Sequence, residues 1–350
     1  MTNALTVSIC LPTCDRPELI VECLDSCLAQ SYPHIEILIG DDSHDDRTER
    51  LIGTRYAHDA RIRYLRNDPP LGQARNVASL FARASGTLVM LIHDDDYLVI
   101  DGVARLVALW RRYPHLEVAF GDQYEVDAAG RVDPRRSARL NAAFHRTRAA
   151  QGMQSLPGRT GLVQMFPNNG WMALATLVRR VGYREDAGAC CDFVFGVELC
   201  LAASHIGYLH EYVSYYRKTR MSISNSTRVS TSAAALAAYS FVRGLPLDAS
   251  LEDARRAALR RLAPIVVSLH ARHHAPLAAL RVALDHPDAY AYGLSVRLCY
   301  HLSLIARALL PRSLHRDKRR AAACATNTHT IPITPPASTC VSRSNASAAD

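Results

Sequence analysis

Three short apolar runs in the first hundred residues each stop at a polar, mostly acidic cluster, and this recurrence constrains the fold more than any other feature of the chain. Val7 to Leu11 ends at Pro12-Thr13-Cys14-Asp15, Ile35 to Ile39 at Asp41-Asp42-Ser43, and Leu88 to Ile92 at His93-Asp94-Asp95-Asp96. Aliphatic and β-branched runs bounded by turn formers read as buried strands. Between them the apolar residues fall at helical spacing. Pro17 to Ala29 carries Leu19, Ile20, Cys23, Leu24, Cys27 and Leu28, and helices are also predicted over Thr48 to Tyr56 and Gly72 to Ala84. Ile62 to Arg66 is a further short strand. Strands alternating with helices at this interval give βαβ units and a mostly parallel sheet, in which ligands bind beyond the carboxyl ends of the strands. All three polar clusters fall at those ends.

The rest of the chain is read more coarsely. From about 121 to 160 it turns polar and Arg-rich and is read as loops or an insertion over the site; Leu174 to Val181 and Phe193 to Ala203 are apolar again. From Thr231 to Leu310 Ala, Leu and Arg dominate, which favours helices. Between Arg255 and Arg320 thirteen Lys or Arg face three acidic residues, Asp285, Asp288 and Asp317. The last thirty residues, rich in Ala, Ser, Thr and Pro, read as disordered. The expected division is a sheet domain over 1–228, a basic helical extension over 229–320 and a tail over 321–350.

A net charge of +8 asks for an anionic partner: nucleotide phosphates, anionic lipid or nucleic acid. Nucleic acid rests on that charge alone and is not expected as a partner. Ten cysteines without Cys-x-x-Cys pairs at zinc-ribbon spacing, in a sequence without a signal-peptide pattern, read as free thiols in a reducing cytoplasm. No spanning helix is expected, because the longest apolar candidate, 296–310, is interrupted by Arg297, His301 and Arg307.

Adjacent aspartates repel, and each raises its neighbour's pKa unless a cation intervenes. A single Asp at such a place serves a turn or a helix N-cap. Two acidic clusters at the ends of two strands point instead to Mg²⁺ or Mn²⁺, held by one or two carboxylates with substrate phosphates completing the shell. An ion so placed neutralises a departing diphosphate.

The segments SCLAQSYPHIEILIGDDSHDD and LGQARNVASLFARASGTLVMLIHDDD resemble the family 2 glycosyltransferases of the GT-A fold. Those domains open with a strand and a Pro-x-x-Asn/Asp-Arg loop, here Pro12-Thr13-Cys14-Asp15-Arg16. A Gln-x-Tyr-Pro-x-x-Glu turn (Gln30 to Glu36), an Asp-Asp-x-Ser-like loop, an Ala-Arg-Asn helix (Ala74-Arg75-Asn76) and the metal-binding Asp motif follow in order. The resemblance spans residues 5 to about 225. It implies an α/β, Rossmann-like, mostly parallel sheet flanked by helices over 1–228, with the helical extension appended. It also implies an inverting, metal-dependent transferase that moves one sugar from a nucleotide-diphospho-sugar, a UDP-sugar first, to an acceptor hydroxyl. The acceptor implied is a saccharide or lipid-linked saccharide in cell-surface polysaccharide or glycolipid assembly.

Residue by residue, the resemblance puts Pro12, Thr13, Asp41 and Asp42 on the base and ribose, with Asp15 in the same nucleotide-binding set. Arg75 is placed near the nucleotide, Asp94 at the ribose, Asp95 on the metal, and Asp96 as a second ligand or a support. Cys14 stands where the family often has Tyr. His93 stands where many members have the first Asp of the motif, and reads as a supporting contact. Transfer with inversion needs a base for the acceptor hydroxyl. Cys191 to Leu199 resembles the family's Asp-Tyr-Asp-Phe-Gly-Leu-Arg-Leu element, which makes Asp192 the candidate base, with a plain helix N-cap as the alternative. Gly182 to Asp186 resembles the preceding Gly-Phe-Arg-Glu turn and offers Asp186 as the other carboxylate. Tyr215-Tyr216-Arg217-Lys218, with Ser222, Ser224 and Ser226, resembles the closing segment, where Arg217 or Lys218 either contacts the diphosphate or forms a solvated charge pair. The absence of a Gln-x-x-Arg-Trp motif favours single-sugar addition.

Two other readings are carried. A nucleotidyltransferase would show a Gly-rich loop after the first strand, and Pro12 to Pro17 has no glycine. A non-catalytic GT-A-like nucleotide-binding module would accumulate departures such as Cys14, His93 and Cys191. In the extension, Leu294, Val296, Leu298, Leu302, Leu304, Ile305 and Leu309 form an apolar face beside Arg297, Arg307, Arg312 and Arg316 to Arg320. That face either caps the catalytic domain or docks peripherally on anionic lipid at the inner face of the cell membrane.

Overall fold

The computed structural model describes residues 5–218, 228–290 and 295–309. Nine strands form one sheet: β1 (Val7–Thr13), β2 (Ile35–Asp41), β3 (Ile62–Arg66), β4 (Leu88–Leu91), β5 (Tyr97–Leu98), β6 (Val118–Val126), β7 (Gly152–Met153), β8 (Trp171–Leu174) and β9 (Ile206–Arg217). Their order is β3-β2-β1-β4-β8-β6-β9-β5, with β7 pairing on β9. β3, β2, β1 and β4 are parallel. β8 runs antiparallel to both β4 and β6, so β6 and its parallel neighbour β9 point the same way as β1. The carboxyl ends of β1, β2, β4, β6 and β9 therefore lie along one edge.

All seven residues of β1 are buried, because the sheet is covered on both faces. Alternation divides its side chains between two cores. Val7, Ile9 and Leu11 join Ile37 and Ile39 under α1 (Pro17–Leu28) and α4 (Gly102–Arg112). Cys10 joins Leu38, Val89 and Leu91 on the opposite face, against α3 (Gln73–Arg83). α2 (Arg47–Arg55) lies between β2 and β3 in the chain, as expected.

The stretch 121–160 differs from its sequence reading. It contains most of β6, α5 (Pro134–Ala143) and β7, and it leads into α6 (Pro157–Leu162). Its polarity belongs to a buried hydrogen-bond network. Tyr208 donates to Asp122 at 2.6 Å, Asn141 Nδ2 donates to the Gln123 carbonyl at 2.9 Å, and the Glu125 amide donates to Ser137 Oγ at 2.8 Å. The buried face of α5 is Ser137 and Asn141, so the helix shows no apolar period; Asp133 caps it by accepting from the Arg136 amide.

α7 (Ala175–Val181) and α8 (Cys191–Ala202) follow β8. α6 meets α8 at Gly161, where a Cβ would lie 2.8 Å from Val197 Cα. α9 (Arg228–Gly244), α10 (Glu252–Arg272), α11 (Pro276–Asp285) and α12 (Val296–Leu309) form the helical extension. Tyr239, Val242, Leu259, Val266 and Ile305 share one core cluster with Leu162 and Phe195, so these helices pack on the sheet's own helical layer. Among the described residues no helix is long and apolar enough to cross a membrane. Ser222, Ser224, Ser226, Leu294, Arg312, Arg316 to Arg320 and the 321–350 tail lie outside the described residues.

Candidate active site

The loops after β1, β2 and β4 meet at the carboxyl edge. Thr13 Oγ1 donates to Asp94 Oδ2 at 2.8 Å and ties the first loop to the third. Arg16 approaches Asp94 Oδ1 at 3.0 Å and Asp95 Oδ2 at 3.7 Å. Burial pushes the Asp94 carboxyl up against the pull of Arg16 and Thr13. A cleft of about 760 Å³ opens here, bordered by Pro12, Thr13, Arg16, Asp42, Asn76 and Asp95, among others.

The two aspartates after β2 do different things. Asp41 is fully buried and accepts from the Ser43 amide at 2.8 Å and the Tyr64 hydroxyl at 2.7 Å, one bond to each oxygen; it shapes the loop and does not border the cleft. Asp42 does border it, and its Asn67 and Leu71 bonds both fall on Oδ1. Asp15, in a left-handed conformation (φ 54°), accepts from the His44 amide at 2.9 Å and faces His44 Nδ1 at 2.7 Å. Those bonds hold its carboxyl below the usual range.

Arg75 is not brought into the cleft. It is exposed on α3, whereas Gln73 and Asn76, three apart on one helical face, border the cleft. Asn76 Nδ2 donates to the Gly40 carbonyl at 2.8 Å, and Oδ1 accepts from Asn67 at 3.1 Å. The guanidinium at the cleft wall is that of Arg16.

After β4, Asp95 lines the cleft with a side chain 13% exposed. Asp96 is buried, and each of its oxygens meets a protein donor: the Arg217 amide at 2.9 Å and Asn169 Nδ2. Burial, and then the Asp95 charge, push the Asp96 carboxyl up to about 7. Asp96 thus braces the loop, and Asp95 lines the cleft beside Arg16. Arg217 is also committed to the scaffold. It donates to the Asp95 carbonyl at 3.0 Å, pairs with Glu22 and lies over the Tyr97 ring at 5.2 Å. Lys218 pairs with Glu125 at 3.0 Å. Among the described residues, the side chains whose ligand atoms converge within 4.8 Å are Cys14, Asp15 and His44, exposed at the cleft mouth, and not Asp94 to Asp96. The carboxylate oxygens of Asp95 at the cleft wall are the donor type that a hard divalent ion takes, with phosphates and water completing its shell.

Asp192 lies on the first turn of α8, where the N-cap position is Cys190, so the plain N-cap reading does not describe it. Tyr183 OH donates to its Oδ1, and Gln73 Nε2 to its Oδ2 at 3.4 Å. His93 Nε2 sits 3.4 Å from the same Oδ1. Burial works to raise the Asp192 carboxyl, but His93, Tyr183 and Gln73 together hold it below the usual range. Burial likewise opposes a charge on His93, and the carboxylates led by Asp192 push it up to about 9 nonetheless. Asp186 is elsewhere, forked on Arg184 at 2.9 and 2.6 Å at the surface.

A second cavity of about 360 Å³ adjoins the first, with Phe144, Phe166 and Phe193 beside Gln123, Gln164 and Lys218. The two share Asn168, Asp192 and Tyr216. The sequence reading missed Gln73, the His93–Asp192 pairing, and the Asn168-Asn169 pair. The turn dipeptide Asn169-Gly170 was the available signal for that pair, and Gly170 is required there, at φ 71° with Ser214 Oγ only 2.4 Å from where a Cβ would stand.

Known glycosyltransferases resemble the chain in sequence and in fold. The sequence is 34% identical over 105 residues to the abequosyltransferase RfbV of Salmonella typhimurium, covering 29% of this chain and 32% of that protein. The chain spans less than two thirds of the length of the curated relatives it matches. Among solved structures it is similar to the mannosyltransferase PcManGT of Pyrobaculum calidifontis in complex with GDP-Man and Mn²⁺, with TM-score 0.57 and 16% identity, covering 93% of this chain and 88% of that one. It is also similar to TarS 1-349 of S. aureus in complex with UDP-GlcNAc, with TM-score 0.55 and 16% identity over 83% and 93% of the two chains. Residues 8–168 match the profile of glycosyl transferase family 2. This segment, at the head of a sheet similar to those of GT-A glycosyltransferases, is thus what the chain shares with glycosyl transferase family 2.

Proposed function

We propose that the chain is an inverting, metal-dependent glycosyltransferase that moves a single sugar from a nucleotide-diphospho-sugar to an acceptor hydroxyl. The observation that carries this reading is the position of Asp192 on the wall shared by the two cavities. The larger cleft then takes the donor. Pro12, Thr13 and Asp42 border the base and ribose end, while Asp15 and Asp41 hold the loops in shape. Mg²⁺ or Mn²⁺ at Asp95, braced by Asp96, would supply Lewis-acid neutralisation of the diphosphate. The smaller cavity takes the acceptor, whose sugar ring lies against the aromatic side chains while Gln123 and Gln164 meet its hydroxyls.

In the reaction the ionised Asp192 removes the proton from the acceptor hydroxyl as its oxygen bonds to the anomeric carbon. The bond from that carbon to the diphosphate breaks on the opposite face, which inverts the centre. Tyr183, Gln73 and His93 fix the carboxylate and keep it ionised.

A UDP-sugar is the first donor to test, since one structural neighbour was solved with UDP-GlcNAc and another with GDP-Man and Mn²⁺. A saccharide or lipid-linked saccharide is the acceptor, in cell-surface polysaccharide or glycolipid assembly on the cytoplasmic side of the membrane. Residues 1–228 act as the transferase domain and 229–320 as its helical extension. Thermal denaturation with a panel of nucleotide sugars and Mn²⁺ tests the donor assignment. A cognate donor at a hundred times its dissociation constant is expected to add about 2.7 kcal/mol of stability. A panel in which no nucleotide shifts the transition contradicts it.

A further inference from the structure

Of the twelve large apolar side chains that the described residues expose, seven lie on α11 and α12. Leu277, Leu280 and Leu284 form one stripe along α11, at 78%, 36% and 69% exposure, while Ala279, Val282 and Ala283 of the same helix are buried. On α12, Val296 is 90% exposed and Tyr300, Leu302 and Leu309 are exposed with it, whereas His301 and Ile305 are buried. His301 Nε2 lies 2.9 Å from Ser268 Oγ of α10. The apolar face read from the sequence is therefore split. Leu298, Leu304 and Ile305 pack inward, while Val296, Leu302 and Leu309 are exposed on a helix that packs against α11.

An apolar surface concentrated on two neighbouring helices marks a contact with something outside the fold. Its charge says what. Arg272, Arg281, Arg297 and Arg307 are exposed on and beside these helices, against Asp285 and Asp288. In the sequence just after α12, Arg312, Arg316, Lys318, Arg319 and Arg320 face Asp317 alone. Apolar side chains fringed by arginines are the chemistry of a helix lying in a lipid interface, where acyl chains take the apolar stripe and anionic headgroups the cations. We propose that the outward face of α11 and α12 docks the chain on an anionic lipid surface. This docking does not depend on the transferase reading and would hold for a chain without activity.

Co-sedimentation of the full chain with vesicles tests it, using phosphatidylcholine alone and phosphatidylcholine with phosphatidylglycerol, at low and high salt. Binding is expected to the anionic vesicles at low salt and to weaken by about tenfold or more on neutral vesicles or at high salt, since each basic residue near the surface is worth up to about fivefold. Leu277→Glu with Leu284→Glu, and Arg281→Glu with Arg297→Glu, are each expected to lose most of that binding with an unchanged melting temperature. Val296→Glu, at the most exposed apolar position, provides a third variant if either pair fails to fold. No binding to anionic vesicles, or variants that bind like the wild type, would overturn the proposal. So would a concentration-dependent dimer that the leucine variants abolish without any vesicle binding, which would assign the face to a second copy of the chain.

Discussion

Asp192→Asn is expected to lower sugar transfer by roughly 10² to 10⁴, the usual worth of a positioned general base, while the dissociation constant for the donor nucleotide stays within about twofold. The substitution keeps the side chain's shape and its place between Tyr183 and Gln73 but removes the charge that, on the proposed reading, would accept the proton. Asp186→Asn is the internal control. Its carboxylate is exposed and held by Arg184, so activity is expected to stay near the wild-type level. Turnover measured as nucleoside diphosphate release, with donor affinity from calorimetric titration, separates the two effects. Loss at Asp186 with retention at Asp192 would place the base on the wrong turn.

Asp95→Ala is expected to reduce transfer by about 10² to 10³ or more, because on the proposed reading several kcal/mol of charge neutralisation at the diphosphate depend on the ion that Asp95 would hold. Nucleotide affinity should fall in Mn²⁺ and remain unchanged in its absence. That difference distinguishes loss of a ligand from loss of shape. The neighbouring carboxylates are more deeply buried: Asp94 is tied to Thr13 and Arg16, and Asp96 to Asn169 and the Arg217 amide. Wild-type activity in the variant would remove the metal assignment.

The first half of the sheet was legible in the sequence because β1, β2 and β4 are largely buried and show up as short, mostly apolar runs. β6 and α5 were not, since the faces they bury carry Asp122, Gln123, Ser137 and Asn141, whose partners come from distant segments. β9 was hidden for a related reason. It holds His210, Glu211 and Ser214 among its tyrosines, and its register against β6 shifts at Gly121 to Gln123, so no period of two runs along its length.

At the site, the motifs picked out loops that meet at the carboxyl edge but not the direction of each side chain. One position along the loop separates the buried Asp41 from Asp42 at the cleft, and one position along α3 separates the exposed Arg75 from Asn76. The resemblance left Asp96 as a second ligand or a support and Arg217 as a diphosphate contact or a solvated charge, whereas the structure ties the two loops together through the Arg217 amide on Asp96 and Arg217 Nε on the Asp95 carbonyl. His93 and Asp192, at 3.4 Å, are ninety-nine positions apart, a pairing that local spacing cannot supply.

Nucleoside diphosphate release from a panel of nucleotide sugars by the wild-type chain, in Mn²⁺ and in EDTA, tests whether sugar transfer occurs at this cleft and whether its diphosphate end needs a divalent ion. The expected result is release from at least one nucleotide sugar in Mn²⁺, its loss in EDTA and its return when the metal is restored. Release that is equal in EDTA, or absent from every donor in the presence of metal, would contradict it.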